Sequence, residues 1–161
     1  MELYFHITIE KEGTSIKFEV IKANDKNTLS QSLEVRRLVF TVEKGISQED
    51  EVDAFDVLDN VCDHFLVRYN GENVGAFRCM HKLENIVQLQ RFCFLNSYRC
   101  LGLGRKALDF AEKYYRKNNI KKIILDSQYP VKDFYEKCGY QTVSDIFMEV
   151  NIPHVKMEKI I

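Results

Sequence analysis

The chain of 161 residues is long enough to bury a core in one domain, and 45% hydrophobic with 29% charged residues and two prolines excludes a disordered chain. A formal net charge of −1 leaves no excess of positive charge for nucleic acid or an anionic membrane surface. No run approaches the ~20 apolar residues of a membrane span, and MELYFHITIEKEG lacks a basic region before an apolar core, so a cytoplasmic location is expected.

Residues 3–9 and 16–23 are predicted as two strands separated by the turn-like KEGTS. Residues 29–44, LSQSLEVRRLVFTVEK, carry Leu29, Leu33, Val35, Leu38, Val39 and Val42 on a broad apolar helix face, with Gly45 as the stop. The next stretch, ISQEDEVDAFDVLDNVCD, reads as a loop with seven acidic residues between Glu49 and Asp63 and no lysine or arginine. HFLVRY (64–69) and NVGAFRCM (73–80) flank an Asn-Gly pair, a strong hairpin signal. In the following strand, IVQLQRFCFL, Val87, Leu89, Arg91 and Cys93 alternate with Gln88, Gln90, Phe92 and Phe94.

From Gly104 the period becomes helical, with Ala107, Leu108, Phe110, Ala111, Tyr114 and Tyr115 on the buried face and an end near KNN. KIILDS (122–127) is a strand with neighbours on both sides. Pro130 suits the first turn of a third helix, which uses Val131, Phe134, Tyr135 and Cys138 and stops at Gly139. The tail supplies two strands around a break at Ile152 and Pro153. Strands with three helices in this order make an α/β domain spanning residues 1–161.

Cys62, Cys79, Cys93, Cys100 and Cys138 form no C-x-x-C pair, so reduced, mostly buried thiols are expected and no metal site. Cys100 lies in a glycine turn at a helix start, where thiol pKa values fall, but no histidine is near it in sequence. That turn, R-x-x-G-x-G at residues 99–104, is neither the dinucleotide fingerprint G-x-G-x-x-G nor a P-loop. Its residues let the backbone turn sharply, and the opening N–H groups of the helix have no intrahelical partners. Together with Arg99 and Arg105 they suit a pyrophosphate, although an ordinary helix start would read the same way.

The strand ending at Leu95, R-x-x-G-x-G, the helix, the strand KIILDS and then VKDFYEKCGY resemble the Gcn5-related N-acetyltransferase (GNAT) superfamily in order and spacing. RRLVFTVEKGISQEDEVDAFD, DHFLV, VGAFR and NIPHVKM are similar to a bacterial subgroup of it, so the resemblance covers residues 16–157. It implies the acyl-CoA N-acyltransferase fold, a mixed central sheet flanked by helices, and acetyl-CoA as cofactor. It further implies that the strand at Phe92, Cys93 and Phe94 meets the pantetheine arm. Arg99, Cys100, Leu101, Gly102, Leu103, Gly104 and Arg105 would wrap the pyrophosphate, and Phe134 and Tyr135 would flank the thioester end. Where the subgroup has Glu-Gln after the first helix this chain has Glu43 and Lys44, a departure on the side of the acceptor.

Acetyl transfer to an amine needs a neutral nitrogen, an oxyanion stabiliser and a proton for the leaving thiolate. A strand N–H from Phe92 or Cys93 suits the oxyanion, and the phenol of Tyr135 suits the proton donor, its alternative being a core aromatic. His64 and His154 are the candidates for accepting the amine proton, or else hydrogen-bonded structural residues. Glu43, Asp53, Asp56 and Glu149 are candidate binders of a cationic acceptor. The expected activity is transfer from acetyl-CoA to a small primary amine by direct attack. The alternatives are an aminosugar-phosphate N-acetyltransferase and a non-catalytic acyl-CoA-binding module. Exposed strand edges would permit a homodimer.

Overall fold

The computed structural model describes the backbone of residues 4–11 and 14–161, with side chains from residue 15 onward. Strands β1 (Tyr4–Lys11) and β2 (Thr14–Lys22) form a hairpin. Helix α1 (Lys26–Arg36) begins where Asp25 accepts the Thr28 N–H at 2.9 Å, buries Leu29, Ser32, Val35 and Arg36, and widens into a π-type coil over Arg37–Glu43. Gly45, at φ 74°, ends it in the left-handed conformation that glycine adopts without steric cost.

After the short helix α2 (Gln48–Glu51) come β3 (Cys62–Tyr69) and β4 (Glu72–His81), joined through Asn70 and Gly71 at positive φ, and then β5 (Ile86–Phe94). Helix α3 (Leu103–Lys117) leads to β6 (Lys122–Gln128), and α4 (Lys132–Lys137) to β7 (Gln141–Thr142), β8 (Phe147–Glu149) and β9 (Ile152–Ile160). Among the described residues the nine strands form one sheet in the order β1-β2-β3-β4-β5-β6-β9-β7, with β8 also on β9. β1 to β5 are antiparallel neighbours. β5 and β6 run parallel, and such a pair needs a crossover such as α3 supplies.

Strand alternation divides the core. Phe65, Phe77, Val87, Leu89, Ile123, Leu125, Val155 and Met157 pack with residues of α3 and α4, whereas Leu66, Ala76 and Cys93 pack with Val35, Val39 and Phe40 of the α1 region. Two expectations are corrected here. Ala76 pairs with Cys93 and Arg78 with Gln90, so three steps on β5 face two on β4, and Arg91 sits at φ 55° in the bulge. The extra residue flips everything after it: Phe92 and Phe94 join the face of Val87 and Leu89, and Cys93 crosses to the α1 face. The second correction is in the tail, where the reversal falls at Val150 and Asn151, both at positive φ, and Ile152 and Pro153 already belong to β9.

Candidate active site

β5 and β6 pair from Ile86 with Lys122 only as far as Leu89 with Leu125. Beyond that point the strands part, and a cavity of about 610 Å³ opens between them, lined by residues 88–94 and 125–128, the glycine turn, Phe134, Tyr135, Glu149 and His154. Leu95 donates its N–H to Val74 O at 2.9 Å, so by alternation Cys93 also turns its N–H toward β4 while Phe92 and Phe94 turn theirs into the split. Arg99 Nε donates to the carbonyl of Phe94 at 2.9 Å, on that same open edge. The opening joins the two faces of the sheet.

On the α3 and α4 face the split meets the glycine turn. Cys100 at φ 62° and Gly102 at φ 75° bend the chain sharply, and the first helical bond runs from Lys106 N–H to Gly102 O. The N–H groups of Leu103, Gly104 and Arg105 therefore precede the helical ladder and carry the positive end of α3. A β-carbon on Gly104 would stand 3.2 Å from Phe134 Cζ, so a side chain there must displace the edge of that ring beside the helix start. Phe92 stacks on Phe134 at 6.3 Å between centroids and lies 6.2 Å from Tyr135. Tyr135 is 8% exposed, its hydroxyl has no hydrogen-bond partner among the described residues, and burial pushes its pKa well above the ordinary value. An unpaired strand edge leading to a row of open amides fits an extended ligand ending in phosphates, which is the chemistry of coenzyme A.

On the opposite face stand Gln88, Gln90, Asp126, Gln128 and His154, all in strand positions alternate to the α3-facing core. His154 is 7% exposed, and its Nδ1 lies 2.8 Å from Ile152 O. A carbonyl cannot donate, so Nδ1 carries a hydrogen, and in the neutral ring the lone pair is on Nε2. Glu149 Oε2 is 3.5 Å from that Nε2, and Phe147 stacks on the ring at 5.9 Å.

Several sequence expectations change at this point. His64 is 2% exposed and outside the cavity lining; its Nε2 faces the carbonyls of Phe55 and Val57 at 3.0 and 3.2 Å. It donates to both, and burial lowers its pKa, which suits an anchor for the acidic segment and not the base. Asp53 and Asp56 are also spoken for. Arg78 reaches Asp53 at 2.6 Å and Asp56 at 2.8 Å, and Arg36 reaches Asp56 and Glu51 at 2.6 Å each. Burial alone would raise the Asp56 pKa, but hydrogen bonds from Arg36 and the Asp53 N–H hold it at about 2. The acidic run thus closes on buried arginines of α1 and β4 instead of facing an acceptor. Glu43 is held by both terminal nitrogens of Arg99 at 2.6 and 2.7 Å, a contact that lowers its pKa and leaves it on the cofactor side. Cys93 turns its N–H to β4, so of the two strand amides expected to meet the oxyanion only that of Phe92 faces the split.

Arg91, Gln88, Gln90, Asp126 and Gln128 escaped sequence reasoning, yet all line the cavity. The alternation of β5 marks the two glutamines as facing away from the apolar row, which was the available signal; the bulge that brings Arg91 into the site leaves none.

A strand pair that splits beside an amide-rich helix start defines a fold built to take an acyl-CoA between its halves. The acetyltransferase (GNAT) domain family matches residues 40–161, and the chain belongs to that family. A Bacillus subtilis (strain 168) protein named as an acetyltransferase is 37% identical over 140 residues, 87% of this chain and 95% of its own. Among solved structures, an N-acetyltransferase-type protein from Lactobacillus plantarum superposes with a TM-score of 0.83 at 24% identity, covering 89% of this chain and 97% of that one. An aminoglycoside 6'-N-acetyltransferase complexed with coenzyme A shares the fold at a TM-score of 0.70 and 15% identity, covering 88% and 96%.

Proposed function

We propose that the protein transfers an acetyl group from acetyl-CoA to a small primary amine by direct attack within a ternary complex. The observation that carries this reading is the open split between β5 and β6, with Tyr135 on one side of the sheet and His154 on the other. When bound, acetyl-CoA supplies the thioester carbonyl that is attacked and the sulfur that leaves. Phe92 offers an N–H on the open strand edge to a developing oxyanion, and Arg99, Arg105 and the N–H groups from Leu103 to Arg105 hold the phosphates. Tyr135, kept protonated by burial, holds a proton at Oη on the cofactor side.

His154 Nε2 takes the proton that a cationic amine must shed, and Glu149 faces the resulting imidazolium. Attraction of the ammonium falls to Glu149 and Asp126, the carboxylates in the cavity lining. The test is release of free thiol from acetyl-CoA with a panel of primary amines, with the acetylated product identified by mass. Amine-dependent thiol release is expected; binding of acetyl-CoA without release for any amine would replace transferase with the binding-module reading.

A further inference from the structure

Arg78, 2% exposed on β4, donates Nε to Gln90 Oε1 at 2.9 Å. A guanidinium has donors only, so this contact dictates how the Gln90 amide is turned: oxygen toward Arg78, nitrogen away. Arg78 cannot swing to relax it, because its other nitrogens are held by Asp53 and Asp56. The freed Gln90 Nε2 donates to Gln88 Oε1 at 3.2 Å. That uses the oxygen of Gln88 and leaves its amide nitrogen with no acceptor among the described residues. Both glutamines line the cavity on the acceptor face. One buried arginine thus sets the polarity of a two-amide chain, and the chain ends in N–H donors.

Strand register gives the distance over which this donor works. Gln88 pairs with Ile124 and His154 with Gln128. Four residues of β6 separate those levels, about 13 Å at ~3.3 Å per residue. We propose that Gln88 is a specificity-determining donor that reads a carbonyl oxygen carried by the acceptor at the end remote from its reacting nitrogen. The inference rests on the amine-acetylation reading and narrows its substrate class to elongated amines bearing a carboxamide or carboxylate. A hydrocarbon end leaves the Gln88 N–H groups desolvated and unpaired, and a second ammonium there meets donors.

The test uses the isotopically labelled protein saturated with coenzyme A, titrated with ε-aminocaproamide or n-hexylamine. The side-chain amide pair of Gln88, identified by its loss from the spectrum of Gln88→Leu, should shift with ε-aminocaproamide and stay in place with n-hexylamine. Binding of the carboxamide should be tighter by about tenfold in the wild type, and by less than about twofold in Gln88→Leu. Gln90→Glu supplies only acceptors, so Gln88 must turn its nitrogen toward residue 90, and the preference should disappear there too. An unmoved Gln88 pair, or a preference that survives Gln88→Leu, overturns the inference. Since the readout is binding to the coenzyme A complex, it stands apart from thiol release, by which the transferase reading is judged.

Discussion

Glu149 Oε2 lies 3.5 Å from Nε2 of His154, across the tight turn at Val150 and Asn151 that joins their strands. The other ring nitrogen is fixed on Ile152 O, so the imidazole has one orientation and its lone pair has one direction. If this nitrogen takes the amine proton, His154→Gln should lower kcat/KM by roughly 10²-fold without changing affinity for coenzyme A. Glu149→Gln should cost less, because the ring stays fixed on Ile152 O and only the carboxylate facing its Nε2 is lost. Steady-state kinetics of the three proteins with one amine check this, and a Glu149→Gln protein as slow as His154→Gln would overturn the order.

On the far side of the split, Tyr135 is packed among Phe92, Phe134 and Tyr140 with ring centroids 6.2, 5.1 and 5.8 Å away. Burial raises its pKa, so the phenol stays protonated throughout the pH range of a transfer assay. Tyr135→Phe keeps the ring and removes the proton. kcat should drop roughly 10²-fold with coenzyme A affinity unchanged, under conditions where chemistry limits turnover. A normal kcat would leave Tyr135 as a core aromatic.

Much of this arrangement was legible in the residues. Helical periodicity and the stops at Gly45 and Gly139, the hairpin at Asn70 and Gly71, and the strand-to-helix turn at Gly102 are local signals, and the elements follow them. What stayed hidden is pairing over long separations. The acidic run reads as uncompensated because Arg36 and Arg78, its partners, lie 15 to 25 residues from the carboxylates they bind. Nor does the composition of β5 announce the bulge at Arg91, which depends on the fit to β4 and reverses the faces of Phe92 and Cys93.

The two glycines of the turn serve different needs, so their variants should fail differently. Gly102 sits at φ 75° with open space where a β-carbon would be, and Gly102→Ala should cost about 1 kcal/mol of stability through its left-handed backbone alone. Gly104 has ordinary backbone but faces Phe134 at 3.2 Å, and Gly104→Val should push that ring into the cavity. Calorimetry should show coenzyme A affinity reduced more than tenfold in Gly104→Val, a loss of over ~1.4 kcal/mol, with a smaller loss in Gly102→Ala. Equal affinity in Gly104→Val and wild type would remove this helix start from the binding site.

Asp56 joins Arg36 and Arg78 with its own side chain 2% exposed, which makes it the centre of a buried ion network and a test of where the acidic segment acts. Asp56→Asn leaves two buried guanidinium groups short of a charge, and breaking such a network by removing one partner costs about 3–5 kcal/mol. The acid sensitivity follows from the pKa. Asp56 titrates near 3.8 when unfolded and at about 2 in the fold, so its contribution is complete above pH 3.8 and is lost as pH falls toward 2. A shift of that size corresponds to about 2 kcal/mol. The gap between wild type and Asp56→Asn in urea unfolding should therefore narrow by about 2 kcal/mol between pH 7 and pH 2. In activity assays the variant's KM for amines should keep the salt dependence of the wild type. A stable Asp56→Asn protein with a raised KM and a weakened salt response would return the carboxylate to acceptor binding.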